Sequence, residues 1–159
     1  MIEERAFVAM ADDVGELVEL SRVLVSVAYR SLEAADEPIP LPQFRPLAVL
    51  ARFGPSTVGG LAEALDTRPS NVTRLCDKLV AAGLVTRQNR PENRREVEIG
   101  LTTAGQALVR KVFTARAAEL ERILSRLPET SRKRLARLLP ELLAAADSTV
   151  SRPREAWAV

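Results

Sequence analysis

The stretch PSNVTRLCDKLVAAGLV, from Pro69 to Val85, decides how this chain folds. At 100° per residue its side chains divide into two faces. The apolar face is made of Val72, Leu75, Cys76, Leu79 and Val80, and the polar face of Ser70, Asn71, Thr73, Arg74, Asp77 and Lys78. Pro69 suits the first helical turn, and Gly83 suits a helix stop. The pattern predicts an amphipathic helix whose exposed side is rich in hydrogen-bonding groups, as in helices that enter a DNA major groove.

Two helices are predicted before this stretch. Gln43 to Phe53 places Phe44, Leu47 and Leu50 on one face. After a GPS turn, Thr57 is a good N-cap for a short helix that ends near Leu65. Two short helices joined by a tight turn, the second amphipathic and basic, form a helix-turn-helix.

After Gly83 the apolar period changes from helical to alternating. Residues 84–87 suit a short strand, and Val97, Ile99 and Leu101 alternate with Glu96, Glu98 and Gly100. The segment QNRPENRR, residues 88–95, is polar and turn-prone. The sequence therefore predicts a two-stranded hairpin with a basic tip, which makes the helix-turn-helix a winged one.

Long apolar helices are predicted at both ends of the chain. The first runs from about Asp12 to Leu32, and its apolar coverage is wide enough for burial on more than one side. Another begins with Thr102 as N-cap and continues to about Arg126. A last helix follows Pro128, and Pro140 is expected to kink or split it near Leu139. Such helices are most simply explained as a bundle shared between two subunits of a twofold homodimer.

Composition restricts the possible classes of protein. The chain has 159 residues, 47% of them apolar and 28% charged, which is globular composition. It has no histidine and a single cysteine, so an internal disulfide and a Cys/His metal site are excluded. No phosphate-cradling glycine loop or nucleophile with a partner base is present, and no cofactor or catalytic residue is predicted. We find neither a signal peptide nor a membrane span, and expect a cytoplasmic protein.

The net charge of +2 conceals an uneven distribution. Residues 1–40 hold nine acids and three bases, whereas residues 68–95 hold seven bases and two acids. A basic zone in a nearly neutral chain is typical of a surface that binds phosphates, although a solvated arginine-rich face is the simpler alternative.

Several motifs together resemble the MarR family of bacterial winged-helix transcription regulators. They are LAEAL (61–65), NVTRLCDKLVAAGLVTR (71–87), RPENRREVEIGLT (90–102) and TAGQAL (103–108). The resemblance implies a mainly α fold with a small β-hairpin wing, in which a winged helix-turn-helix lobe is joined to a helical dimerisation region. It divides the chain into an N-terminal dimerisation helix (1–36), a DNA-binding lobe (37–101), C-terminal dimerisation helices (102–147) and a flexible tail (148–159).

The resemblance also implies a function. A homodimer would bind a pseudo-palindromic operator in double-stranded DNA, as a repressor that a small anionic or phenolic ligand releases. Arg95 matches the wing arginine that enters a minor groove, and Arg94 is expected to contact phosphates nearby. The family usually has Asp at the position of Asn93. An Asp could hold a wing arginine by a salt bridge, whereas the amide of Asn93 can only form a hydrogen bond with it.

The candidate DNA-binding residues lie on three elements. Arg74 and Asn71 are placed to read base edges. The remaining candidates are assigned to the phosphate backbone or to the wing, with the division between base and backbone left open: Thr57, Ser70, Thr73, Lys78, Arg90, Arg94 and Arg95. An effector pocket between the base and the winged lobe would be lined by Arg22, Tyr29, Phe44 and Arg45, for which ordinary packing between the lobes is an equal alternative.

Cys76 lies on the DNA-reading helix but within its apolar arc, so we interpret it as a small buried hydrophobe and not as a redox sensor. One other class of function remains open. A winged helix can serve as a protein-interaction module that never contacts DNA, and this alternative would be favoured if operator binding were absent at low salt.

Overall fold

The computed structural model describes residues 12–89 and 97–149. The predicted wing-tip residues Arg90, Asn93, Arg94 and Arg95 lie outside the described residues, as does the tail beyond Thr149. The elements are α1 (Asp12–Leu32), α2 (Leu41–Phe53), β1 (Ser56–Thr57), α3 (Val58–Ala64), α4 (Pro69–Ala81), β2 (Val85–Asn89), β3 (Val97–Leu101), α5 (Thr103–Leu124) and α6 (Glu129–Thr149). The fold is thus mainly helical with a small antiparallel sheet, as the sequence predicts.

The winged lobe is built around one apolar core. Phe44 and Leu47 of α2, Leu61 of α3, Leu79 of α4 and Ile99 of β3 are all at most 1% exposed. Burying a side chain of this size contributes about 1.5–3 kcal/mol relative to leaving it in water. These five positions fix α4 against the rest of the lobe, so the direction of its outer face is determined by the core.

Helix α2 begins two residues earlier than predicted, at Leu41. The three prolines between residues 38 and 42 indicate a break in the chain, but Pro42 itself lies in the first turn of α2. A proline is favourable there because the first turn has no intrahelical use for its N–H.

The sheet has three strands in the order β1-β3-β2, so the predicted two-stranded hairpin was incomplete. Ser56 and Thr57 pair with Ile99 and Glu98 of β3. Two residues are too few to show an alternating pattern, which is why the sequence did not reveal β1. This short strand ties the start of α3 to the wing.

The stretch from Pro69 forms a helix as predicted and ends in the expected glycine turn. Gly83 adopts φ +68°, its N–H donates to Val80 O (2.9 Å), and the Leu84 N–H donates to Leu79 O (2.9 Å). This is the Schellman pattern of helix termination. Val80, which the pattern places on the apolar face, is 39% exposed. It lies about 80° from Val72 around the helix and so at the margin of the apolar arc.

Helices α5 and α6 correspond to the predicted C-terminal helices. Thr102 caps α5 by accepting from the Gly105 N–H (3.0 Å). Pro140 was expected to kink or split α6, and the split is wrong, because the helix is continuous through this residue. Ala136, whose carbonyl loses its partner at Pro140, is exposed, so water can satisfy that oxygen.

Helix α1 packs on α5 through its C-terminal half. Val27 is 1% exposed, Arg30 Nε donates to Glu119 Oε1 (2.7 Å), and Arg116 donates to Ser31 Oγ (3.2 Å). Much of the apolar surface of α1 and α6 is uncovered in a single chain: Leu17, Leu20, Leu24, Leu138, Leu142 and Leu143 are 45–58% exposed. No helix among the described residues is long and apolar enough to cross a membrane.

Candidate nucleic-acid interface

The outer face of α4 is the most evident candidate for a binding surface. Val72, Cys76 and Leu79 are completely buried on its inner side. Ser70, Asn71, Thr73, Arg74 and Lys78 are all exposed on its outer side. Since the inner side is fixed by the core, the outer side presents these polar groups in a defined arrangement.

Two of these side chains make hydrogen bonds within the lobe. Asn71 Nδ2 donates to Thr67 Oγ1 (3.2 Å), which orients its amide near the start of the helix. Thr73 Oγ1 donates to Pro69 O (3.0 Å). Its hydroxyl hydrogen is therefore engaged, and in this rotamer Thr73 offers a nucleic acid an acceptor and not a donor.

The cations Arg74 and Lys78 are available on this surface. Neither forms an ion pair with another of the described residues. Arg45 lies beside them on α2, and its guanidinium donates to Leu65 O (3.1 Å). A cluster of cations on an exposed helix face can neutralise phosphates and release their counterions.

An ion pair that the sequence analysis did not predict links α4 to the wing. Asp77 and Arg87 lie 2.6 Å apart, between Oδ1 and the guanidinium, and both are exposed. An exposed pair of this kind contributes little to stability. Its effect is positional: it holds the Arg87 guanidinium of β2 against α4. The two residues are ten positions apart and become neighbours only through the turn at Gly83, so no local spacing signals the pair.

A cleft runs along the side of α4 that faces α2. Its volume is about 350 Å³, and it is lined by Pro42, Arg45, Leu65, Thr67, Asn71, Arg74, Leu75 and Lys78. Thr67 was not among the predicted site residues, yet it lines the cleft with four that were. The cleft thus brings together Asn71, Arg74 and Lys78 with Arg45, which the sequence analysis had placed in a different site.

Thr57 lies at the start of α3, where it forms the predicted cap. Its Oγ1 accepts from the Gly60 N–H (3.1 Å), and its backbone is extended, with φ −73° and ψ 163°. The side chain is half-buried. A contact with phosphate would therefore come from the exposed part of this helix start rather than from the capping oxygen.

The four residues proposed for an effector pocket lie in different surroundings. Phe44 is 1% exposed and packs edge-on against Phe113, with the ring centroids 5.7 Å apart. Tyr29 is 55% exposed, and Arg22 pairs with Glu19 on the surface of α1. Arg45 alone of the four lines the cleft beside α4. Phe44 is thus a core residue in this chain.

Cys76 is buried, as its position on the helix predicts. Burial raises the pKa of its thiol above the ordinary value, since the charged thiolate is poorly solvated there. The reactive form is therefore scarce at neutral pH, and the side chain packs as a small hydrophobe.

The fold and the exposed face of α4 define a winged helix-turn-helix protein. Comparison with known proteins identifies the family. Residues 39–97 match the model of the MarR family. The crystal structure of RV1404 from Mycobacterium tuberculosis is 36% identical, with a TM-score of 0.79, and the match covers 87% of this chain and 96% of that one. This chain belongs to the MarR family of DNA-binding transcriptional regulators, which is a family of regulators and not of enzymes.

Two curated relatives are consistent with this assignment. The HTH-type transcriptional repressor MdtR of Bacillus subtilis is 31% identical over 102 residues, which are 64% of this chain and 66% of that protein. An uncharacterized HTH-type transcriptional regulator of Mycobacterium bovis is 31% identical over 112 residues, which are 70% of this chain and 78% of that protein. The match with MdtR thus spans slightly less than two thirds of its length.

Proposed function

We propose that this protein is a cytoplasmic homodimeric repressor that binds a pseudo-palindromic operator in double-stranded DNA. The observation that carries the proposal is the outer face of α4, where Asn71, Arg74 and Lys78 are exposed above a completely buried inner face. A recognition helix requires this arrangement, because its polar side chains must be held at a fixed angle to the groove.

The residues of α4 would divide the work of recognition. Arg74 suits a bidentate contact with guanine, and Asn71 a bidentate contact with adenine. Ser70 and Lys78 would fix the register through direct contacts with phosphates. Thr73, whose hydroxyl offers only an acceptor, would reach a phosphate through a bridging water. Thr57 would contribute from the start of α3, where backbone N–H groups favour an anion.

The wing would supply the second contact of each subunit. Arg90, Arg94 and Arg95 stand in the sequence between β2 and β3, outside the described residues, and we propose that Arg95 enters a minor groove beside the recognition helix. The Asp77–Arg87 pair supports this role, since it joins the base of the wing to α4.

A homodimer would bring two such lobes to one operator. The support is the uncovered apolar surface of α1 and α6, where leucines of both helices are about half exposed in the single chain. A large exposed apolar surface marks an association site.

Repression is proposed from the likeness to MdtR, whose name describes a repressor. Release by a small anionic or phenolic effector follows from the resemblance to the family. Such an effector would act by changing the distance between the two copies of α4 in the dimer. It would leave the chemistry of their surfaces unchanged.

The test uses a duplex selected from random-sequence DNA, with affinity measured by fluorescence anisotropy at several salt concentrations. Arg74→Ala should weaken binding by about 1–3 kcal/mol and relax specificity at one base pair. Lys78→Ala should weaken binding to all sequences alike and reduce the magnitude of the salt slope by about 1. Arg126→Ala, an exposed arginine after α5, is the matched control and should leave both quantities unchanged. If all three variants changed the affinity and the salt slope equally, α4 would not be the recognition helix.

The wing and the dimer are tested separately. Replacing Arg94 and Arg95 together by alanine should flatten the salt dependence of DNA binding, and an unchanged slope would exclude the wing contact.

Leu142→Glu should produce monomers in sedimentation experiments, because it places a charge in the proposed interface. Glu141→Gln, at the neighbouring exposed position, is its control; a dimer that persists with Glu at position 142 would place the interface elsewhere.

A further inference from the structure

We propose that Thr102 is a positioning residue for DNA binding, because its hydroxyl joins the end of the recognition helix to the start of the long helix α5. The inference rests on the proposed function. It concerns the joint formed by Gly83 and Leu84 on one side and Thr102 and Gly105 on the other. Thr102 itself does not contact DNA in this proposal.

The Thr102 hydroxyl makes two hydrogen bonds to different elements. Its Oγ1 donates to Gly83 O (2.7 Å) in the turn that ends α4. The same oxygen accepts from the Gly105 N–H (3.0 Å) in the first turn of α5. The backbone N–H of Thr102 adds a third bond, to Leu84 O (3.1 Å). One residue thus connects the termination of α4 to the initiation of α5.

The two sides of the joint also lie in close van der Waals contact. Gly105 is buried, and a Cβ built on it would lie 2.1 Å from Leu84 O. No side chain larger than hydrogen fits there while the backbones keep this separation. The glycine therefore allows α5 to approach the α4 turn closely enough for the Thr102 hydroxyl to reach it.

The joint connects the part of the lobe proposed to read DNA with the part proposed to dimerise. Leu79, whose carbonyl accepts the last bond of the α4 turn, is completely buried in the lobe core. At the other end, α5 continues to Arg116 and Glu119, which hold α1. A change in the angle between α4 and α5 at Thr102 would change the distance between the two recognition helices of a dimer.

An ordinary N-cap would not have this consequence. Thr57 caps α3 with the same geometry, but that bond stays within α3. The Thr102 hydroxyl reaches a different helix in addition to its own. A cap and a positioning residue differ in their effect on the preferred spacing of the half-sites. Loss of a cap alone lowers stability and leaves the preferred spacing unchanged, whereas loss of a positioning residue alters it.

The experiment compares Thr102→Val and Thr102→Ser in the full chain. The duplex selected from random DNA is the probe, together with two duplexes in which the half-sites are moved one base pair closer or farther apart. One base pair changes their separation by about 3.4 Å and their relative angle by about 35°. Thr102→Val removes both side-chain bonds with little change in volume, whereas Thr102→Ser keeps them. Ile99→Val is a matched control that costs a similar few degrees of thermal stability in the lobe core.

We expect the unaltered chain to prefer its selected spacing by about tenfold, the cost typical of one imperfect position in an operator. Thr102→Val should reduce this preference to about twofold, and Thr102→Ser and Ile99→Val should retain it. Thr102→Ala serves in its place if the valine variant does not fold at the assay temperature. Full spacing preference in a folded Thr102→Val or Thr102→Ala dimer overturns the inference. Absence of binding by the unaltered chain overturns the proposed function instead.

Discussion

Gly105→Ala is the substitution for which this structure makes the sharpest prediction. Helix propensity alone favours alanine over glycine by about 1 kcal/mol in a helix. The structure predicts the opposite sign, since the new Cβ would lie 2.1 Å from Leu84 O. Real Cβ atoms essentially never lie within 3.0 Å of such an atom, so α5 and the α4 turn must separate by about 0.9 Å.

The size of the effect follows from that displacement. The Thr102 N–H to Leu84 O bond, now 3.1 Å, would lengthen beyond hydrogen-bonding distance, at a cost of about 0.5–1.5 kcal/mol. Overpacking of a well-packed site costs about 1–3 kcal/mol. After the gain in helix propensity, we expect a net loss of about 1–3 kcal/mol in the free energy of unfolding, or roughly 3–10 °C in Tm.

The assay is urea unfolding followed by circular dichroism, at one fixed protein concentration because dimerisation adds to apparent stability. Gly59→Ala is the matched control. Its Cβ would meet nothing closer than Thr57 Oγ1 at 3.8 Å, an ordinary contact, so it should stabilise the protein by up to about 1 kcal/mol. A Gly105→Ala variant as stable as the parent would refute the close contact between α5 and the α4 turn.

Three further predictions address other parts of the chain. Gly83→Ala should lower the free energy of unfolding by about 1 kcal/mol, because an alanine is strained at φ +68°; urea unfolding measures this, and an unchanged midpoint would contradict it. The pKa of Glu119 is depressed in the folded protein, chiefly because Arg30 donates a hydrogen bond to its carboxylate. The ionised carboxylate therefore stabilises the fold above the pKa of the unfolded state, and this stabilisation is lost as the pH falls through the pKa of the folded state. Glu119→Gln should therefore lower Tm at pH 7, and the difference from the parent should shrink in acid; a constant difference would exclude the linkage. Cys76 should react with a thiol reagent only after unfolding, and rapid labelling of the native protein would show that it is accessible.

The sequence predicts most of the fold because its strongest signals are local. The two faces of residues 69–81, the cap at Thr57, the stop at Gly83 and the alternation at residues 97–101 each depend on neighbours a few positions away. The structure confirms the corresponding helices and strands. Boundaries are less well determined: Pro42 was interpreted as part of a break although it lies inside the first turn of α2.

What the sequence could not predict depends on contacts between distant segments. β1 exists because Ser56 and Thr57 find a partner in β3, and Arg87 meets Asp77 only after the chain has turned at Gly83. Pro140 was expected to kink or split α6; the split is wrong, and the exposure of Ala136 suits a carbonyl that loses its helical partner. Phe44 has the pattern of a core residue, and the structure buries it in the core; its place in an effector pocket stays a prediction.

Selection of bound sequences from random duplex DNA tests the central claim most directly. The purified protein is incubated with a random-sequence library at low salt, and the bound duplexes are sequenced after several rounds. We predict an inverted repeat whose half-sites are about one helical turn, 10–10.5 base pairs, apart from centre to centre. Enrichment of no sequence by folded, dimeric protein would contradict it and favour a winged helix that serves as a protein-interaction module.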